Sequence, residues 1–538
     1  MGSGSLISRS VQYFHTLRHL KVRQLLYQGY YRFRRLARFY GNGELPLSVE
    51  RRGEVLELIP AISKYPSFNN GTFSFLNRSK LFGHNASQID WEYGGHGKLW
   101  VYNLNYFDFL LQPGMERDVG LALIDSFMGG VHQGSVGLQA YPVSLRGINW
   151  IKFLSSHRVQ RTNIDASLYG QYLVLLGNVE YHLLGNHLLE NVFSLLYGAL
   201  YFREAGWFMK SSRLLTQQLN EQILGDGGHF ELSPMYHQIL LDRLLDCVNL
   251  LQNNTCFSGQ DVLLQFLQNK AVVMLGWLKT ITFDDGRIPH FNDATDGIAP
   301  TSRQLFDYAF RLGFNPDALT PAFLNESGYR KHCGKGYACV VDVGALGASY
   351  IPGHAHADAL GFVLDDHDKP LLVDTGTSTY ELGSRRNEER GSAAHNTVVV
   401  NDLNSSDVWG GFRVGRRARV RVIKDSESVV RAEHDGYRGV GVVHCREWRF
   451  ETDRIVLVDR LRGKVDKAEA RFHFDYALTP EVVGTMVIAA RVKLVFDGAE
   501  RIELIRYQQA VGFNHTEKAW CTVVHFSDRL DTIIEVEC

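Results

Sequence analysis

No stretch of these 538 residues approaches 18 uninterrupted apolar positions, so the sequence predicts no transmembrane helix. Net charge is nearly absent: 57 Lys and Arg offset 58 Asp and Glu, for a formal charge of −1. That excludes a global field for gathering nucleic acid or acidic partners and leaves such work to local charge. Cysteine is scarce and unpatterned, with seven residues at 247, 256, 333, 339, 445, 521 and 538 and no CxxC spacing. An odd, scattered set excludes a disulfide framework and a cysteine zinc ribbon and predicts free, mostly buried thiols. The N-terminus also lacks the hydrophobic core of a secretion signal. If Met1 is the native start, the expected compartment is the cytoplasm. If Met1-Gly2-Ser3-Gly4-Ser5 is the scar of an added tag and an export signal has been removed, it is the periplasm or the exterior.

What is present is material for large cores: 45% hydrophobic and 12% aromatic residues, enough for two or three domains. Residues 9–38 carry Arg9, Arg18, Lys21, Arg23, Arg32, Arg34, Arg35 and Arg38 with no acid, interleaved with Leu, Tyr and Phe. A basic amphipathic helix in peripheral contact with an anionic membrane surface reads this way. So does a helix whose arginines are solvated or pair with acids elsewhere in the fold.

From about 117 to 315 apolar residues recur at helical spacing, as in 187–202, 212–224, 234–251 and 261–278. Short glycine-containing connectors favour antiparallel helical hairpins stacked as an array or ring. After Lys335 the pattern becomes strand-like, as in 417–422, 447–458, 470–474 and 492–496, with turns at Asp435-Gly436, Arg462-Gly463 and Asp497-Gly498. The expected organisation is a basic helical extension and linker over 1–90, a helical domain over 91–330 and an antiparallel β-sandwich-like domain over 331–538.

The C-terminal part holds a run of histidines and acids: Gly353-His354-Ala355-His356-Ala357-Asp358, then Val373-Asp374-Thr375-Gly376, then Ala394-His395-Asn396-Thr397. On a strand, His354 and His356 would share one face. Residues 360–364 and 370–373, joined by Asp365-Asp366-His367-Asp368, read as a hairpin that folds Asp374 back to within reach of His356. His395 enters just before the next strand. Two imidazoles and a carboxylate with an open fourth position suit zinc; the competing reading is hydrogen-bonded core histidines.

The helical half contributes Gly228-His229-Phe230-Glu231-Leu232-Ser233-Pro234-Met235-Tyr236-His237 and Leu184-Gly185-Asn186-His187. Ser233 is a good N-cap and Pro234 suits the first helical position, so Tyr236 falls in a first turn, where the positive helix end favours phenolate. Asn186 is by default a helix cap.

In this order the motifs Gly-Asn-His, Gly-His-Phe-Glu-x-Ser-Pro-x-Tyr-His, His-x-His-x-Asp-Ala, Val-Asp-x-Gly-Thr and Arg-x-Ser-Ala-Ala-His-Asn-Thr resemble the heparinase II/III-like polysaccharide lyases, over roughly residues 100–450. The resemblance implies an N-terminal incomplete (α/α) toroid followed by antiparallel β-sheet domains, with a substrate groove between them. It implies Asn186 as the group neutralising a substrate carboxylate, Tyr236 and His354 as the catalytic pair, and His356, Asp374 and His395 as ligands of one zinc, structural in role. Arg390, with His187 and Glu231, becomes a candidate contact to an acidic polysaccharide. The adjacent Glu388 and Glu389 argue against heavily sulfated substrates, which they would repel.

The chemistry fits these residue types. A 4-linked uronate is cleaved by removing its C5 proton and expelling the sugar at C4, which requires its carboxylate to be neutralised and a base and an acid to be placed. Trp91, Tyr93, Trp100, Tyr102, Asn103, Asn105, Tyr106, Phe107, Arg146 and Trp150 have the composition of a sugar groove, with Trp100 and Asn105 as candidate contacts, while core packing is the default reading for most of the aromatics. Two other classes compete: a zinc-dependent hydrolase, for which Ala359 stands where the related signature needs a histidine, and a non-catalytic polysaccharide-binding protein.

Overall fold

The computed structural model describes residues 10, 12–41 and 47–537; the first five residues and Arg9 lie outside them. The helices are α1 Val22–Gly41, α2 Lys98–Tyr106, α3 Arg117–Gly130, α4 Ala140–Ser156, α5 Thr162–Gly177, α6 Gly185–Phe202, α7 Ala205–Gln222, α8 Pro234–Asn253, α9 Gln260–Ile281, α10 Ser302–Arg311 and α11 Ser384–Glu389. From α2 to α10 they pack as successive hairpins into an incomplete (α/α) toroid. Helix α6 sits at its centre, with every residue except His187 buried, as expected of a helix apolar on nearly all sides.

The C-terminal half is antiparallel throughout. An eight-stranded sheet runs from 420–425 through 429–434, 443–450, 454–462, 529–536, 492–497 and 486–489 to 481–483. Facing it are two four-stranded sheets, one of 501–512, 515–526, 468–473 and 398–400, the other of 329–334, 337–342, 362–365 and 370–372. The expected hairpin is present, with Leu364 paired to Leu372. The stretch 447–458, read as one strand, is a hairpin turning at 451–453.

One strand joins the halves. Along Tyr337–Asp342, Ala338 and Val340 face the helical core, while Tyr337, Cys339 and Val341 face the sandwich core. Alternation along a strand thus serves two cores at once, and it anchors the loops that build the site at the junction. A three-stranded sheet at 68–81 occupies part of the expected linker. The tip of its second hairpin clasps a C-terminal turn reciprocally: Asn77 Nδ2 donates to the Phe513 carbonyl (3.0 Å) and Asn514 Nδ2 to the Leu76 carbonyl (2.9 Å).

The six described cysteines are free, four of them buried. Among the described residues no helix is long and apolar enough to cross a membrane.

Candidate active site at the junction of the two halves

Ser233 caps α8 as expected: its hydroxyl accepts from Tyr236 N (3.3 Å) and donates to the Asp293 carbonyl (2.7 Å). Tyr236 therefore stands in the first turn, stacked on His354 with ring centroids 3.9 Å apart. Its hydroxyl lies 3.2 Å from that of Tyr380. The helix terminus does not set its ionisation. Burial pushes the phenol up from its usual pKa, reinforced by Asp293 and Glu231 and only partly opposed by Tyr380 and Arg386. Tyr236 rests as a neutral phenol.

Asn186 opens α6 from a backbone turn with positive φ at Leu184 and Gly185. A Cβ on Gly185 would lie 2.5 Å from Glu231 Oε1, so glycine is what lets that carboxylate close on the helix start. Glu231 accepts from Asn186 N (2.9 Å) and from Asn186 Nδ2 (3.1 and 2.9 Å). Asn186 Nδ2 is also 3.4 Å from His354 Nε2, and Glu231 Oε2 is 3.5 Å from it. Glu231, 2% exposed, orients Asn186 and His354 from beneath. His187, the half-exposed member of that first turn, leans on Glu180 (3.3 Å) and the Tyr141 ring. Burial lowers its pKa, but Glu180 more than reverses this and raises it.

His354 and His356 lie in a loop over 351–361, not on a strand, and Asp293 does the aligning. One oxygen meets His354 Nδ1 (2.9 Å), the other His356 Nε2 (2.9 Å), Thr377 Oγ1 donates to it, and Arg386 pairs with both oxygens (2.5 and 2.6 Å). Burial alone would raise the Asp293 pKa, but the Arg386 charge and the two histidine hydrogen bonds hold it well below the usual carboxylate range. A carboxylate only accepts, so each histidine presents N–H to Asp293. His354 Nε2 then faces Asn186 and Glu231, and in the neutral His356 ring Nδ1 is left bare on the other side.

His356 Nδ1 and His395 Nε2 are buried without a partner. With Asp374 these rings offer ligand atoms all within 4.8 Å of one another. Asp374 Oδ2 meets His395 Nδ1 at 2.6 Å. Burial lowers the His356 pKa to about 4, so the ring is neutral. Orphaned ring nitrogens, a neutral imidazole and a carboxylate form a donor set that fits zinc.

Other expectations fail on burial. Arg390 is fully buried, and its guanidinium donates to the carbonyls of Ala355 (2.9 Å) and Gly411 (2.8 Å); it braces the histidine loop and does not face a substrate. Burial, with the neighbouring Arg386 charge, lowers its pKa to about 10. Trp100 is a core residue whose Nε1 donates to the Arg78 carbonyl (2.9 Å). Asn105, fully buried, donates to the carbonyls of Trp91 and Val101. Glu389 is also buried, paired with Arg385 (2.7 Å), so only Glu388 remains to repel an anionic substrate.

Sequence reasoning missed Asp293, Tyr380 and Arg386. Asp293 sits in the unremarkable string His290-Phe291-Asn292-Asp293 and its carboxylate meets partners 61 or more positions away, so no local spacing marks it. A cavity of ≈ 780 Å³ bordered by Arg287, His290, Lys369 and Asp374 contains none of Asn186, Tyr236 or His354.

Comparison with known proteins comes to the same place. The description "Heparinase II/III N-terminus" matches residues 149–312 and "Heparinase II/III-like, C-terminal" matches 317–532. A heparin-sulfate lyase of Bacteroides stercoris is 25% identical over 249 residues, 41% of this chain and 36% of its own length, so the match spans about a third of that relative. Among solved structures, heparinase III superposes with TM-score 0.61 at 15% identity over 83% of this chain and 79% of its own. Heparan sulfate lyase HepC of Pedobacter heparinus gives 0.52 at 15% identity over 87% and 81%. At these identities the structures speak for the fold, a helical toroid followed by β-sheets.

Proposed function

The chain belongs to the heparinase II/III-like family, and on that premise we propose that it is a polysaccharide lyase cleaving a uronic-acid-containing polysaccharide by β-elimination. The observation that carries the reading is the stacking of Tyr236, from the helical half, on His354, from the sheet half, with the Asn186 amide 3.4 Å from the imidazole. A proton-transfer pair and a carboxylate-neutralising donor meet only because the two halves meet.

In the reaction a base removes the C5 proton, the electron pair left behind forms the C4–C5 double bond, and the C4–O bond breaks as its oxygen takes up a proton. His354 Nε2 is the base that the hydrogen bonding favours, since Asp293 holds Nδ1–H and stabilises the imidazolium that forms. Tyr236, kept protonated by burial, supplies the proton to the leaving oxygen. In the substrate-free site Asn186 donates to Glu231, so a substrate carboxylate competes with Glu231 for that amide. Its hydrogen bond strengthens as charge builds on the carboxylate, which lowers the barrier.

The same reading gives one zinc ion to His356, Asp374 and His395, in a structural role. The two orphaned ring nitrogens support this. The bound ion would neutralise Asp374 and tie the 395–397 segment to the histidine loop. Through Asp293, which holds both His356 and His354, that order extends to the catalytic ring.

The substrate class proposed is a heparan-type glycosaminoglycan or a bacterial exopolysaccharide containing uronate. The test is a panel of such polymers monitored for the ultraviolet absorbance of an unsaturated uronate. Cleavage without new absorbance would indicate hydrolysis, and binding without cleavage a non-catalytic protein; either result rejects the lyase.

A further inference from the structure

Helix α1 has two different faces. One is docked on the helical half: Tyr31 Oη donates to the Val179 carbonyl (2.5 Å), Gln24 Nε2 to the Leu183 carbonyl (3.1 Å), and Arg34 to the Gly177 carbonyl, while the Arg23 guanidinium lies 4.3 Å from the Tyr181 ring centroid. The other face carries Val22, Leu25, Leu26, Tyr30, Phe33 and Leu36, which recur at three- and four-residue steps and form one ridge. All are exposed, Val22 and Phe33 at 71% and Leu26 at 67%. The preceding helical turns add exposed Tyr13, Phe14 and Leu17. Large apolar side chains in a continuous row outside a protein of this size need a partner.

Charge identifies that partner. Arg18 and Arg32 flank the ridge and are exposed, Lys21 pairs with Glu221 of the helical half, and residues 9–38 contain no Asp or Glu. Beside the ridge an open groove of ≈ 630 Å³ is lined by Leu26, Tyr27, Tyr30, Tyr31, Arg34 and Lys210, combining aromatic walls with two cations. A second copy of this chain docking face to face would bring the same cations together with no acid from this segment to meet them. An anionic lipid surface satisfies both properties, with acyl chains for the ridge and headgroup phosphates for the flanking cations.

We propose that α1 lies in the headgroup layer of an anionic membrane with its Val22–Leu36 ridge inserted, holding the catalytic domains at the membrane surface. The inference is independent of the lyase reading, because neither the ridge nor its cations belong to the junction site.

The test is flotation of the full chain with phosphatidylcholine vesicles, with and without about 30 mol% phosphatidylglycerol, at low and high salt. Expected is flotation with the anionic vesicles only, weakened by salt. Leu26→Asp combined with Phe33→Asp should lower the vesicle partition coefficient by about tenfold or more. Arg18→Glu with Arg32→Glu should lower it comparably, and all four changes are at exposed positions, so melting temperature should be unchanged. The idea is overturned if wild-type protein fails to float with anionic vesicles at low salt or if both double variants float as well as wild type. It is equally overturned if light scattering shows oligomers that Leu26→Asp/Phe33→Asp dissolves while vesicles do not compete for them.

Discussion

His354 and His356 are bound to the two oxygens of one carboxylate, each ring 2.9 Å from Asp293. The first turns its remaining nitrogen to Asn186 and Glu231, the second to the His395–Asp374 pair. The group proposed to move a proton and the group proposed to hold a metal are therefore positioned by the same buried anion.

Removing that anion should affect both. Asp293→Asn leaves Arg386 buried without its ion pair, a loss of about 3–5 kcal/mol where a buried pair is broken, and it removes the charge that stabilises an imidazolium. Turnover should fall by about 100-fold or more, with zinc content reduced in the same preparation. Full activity with intact zinc would show that Asp293 is only scaffold.

The acid limit of stability follows from the same group. Its folded pKa lies well below the unfolded value of about 3.9. A depressed carboxylate contributes stability that is fully present above the unfolded pKa and is lost as pH falls through the folded one. Melting temperature measured from pH 5 downward should drop less steeply in Asp293→Asn than in wild type, from a lower start.

For the chemistry, Tyr236→Phe keeps the ring stacked on His354 while deleting the proton. Unsaturated product should form more slowly by several powers of ten, as when an essential acid is removed, with polymer binding retained. His354→Ala should be equally deleterious, and Asn186→Ala should lower kcat more than it raises KM, since its help grows in the transition state. Near wild-type rates in Tyr236→Phe would reject the mechanism while leaving the fold intact.

Metal analysis of purified protein should find about one zinc per chain, lost in His356→Ala together with thermal stability. Protein without metal, whose melting temperature does not rise on adding zinc, would reject the site.

Arg390 separates the sequence-based expectation from the structural one. Because its guanidinium fills backbone carbonyls of the histidine loop, Arg390→Ala should destabilise the protein by about 2–4 kcal/mol through unsatisfied buried acceptors. In the protein that remains folded, KM for an acidic polymer should be unchanged. A large rise in KM at constant melting temperature would restore a substrate-contact role.

The sequence by itself determined the helical half and the sandwich, because hydrophobic periods of 3.6 and 2 are local properties of the chain. It also determined the start of α8, where Ser233 and Pro234 place Tyr236 through contacts no more than three residues long. The grouping of Asn186, Tyr236 and His354 was legible through motif order, and the approach of Asp374 to His356 through a hairpin. What only the tertiary structure decided is where charge and burial fall. Asp293 became the hub because a loop after α9 crosses under residues 354–356. Arg390 and Glu389, two neighbours in a charged string, turned inward to pair with carbonyls and with Arg385. Tyr236 became a neutral phenol because desolvation outweighed the helix end. Each of these outcomes depends on which surfaces are removed from water when the two halves close on each other, and that is a property of the packed chain, which local spacing does not carry.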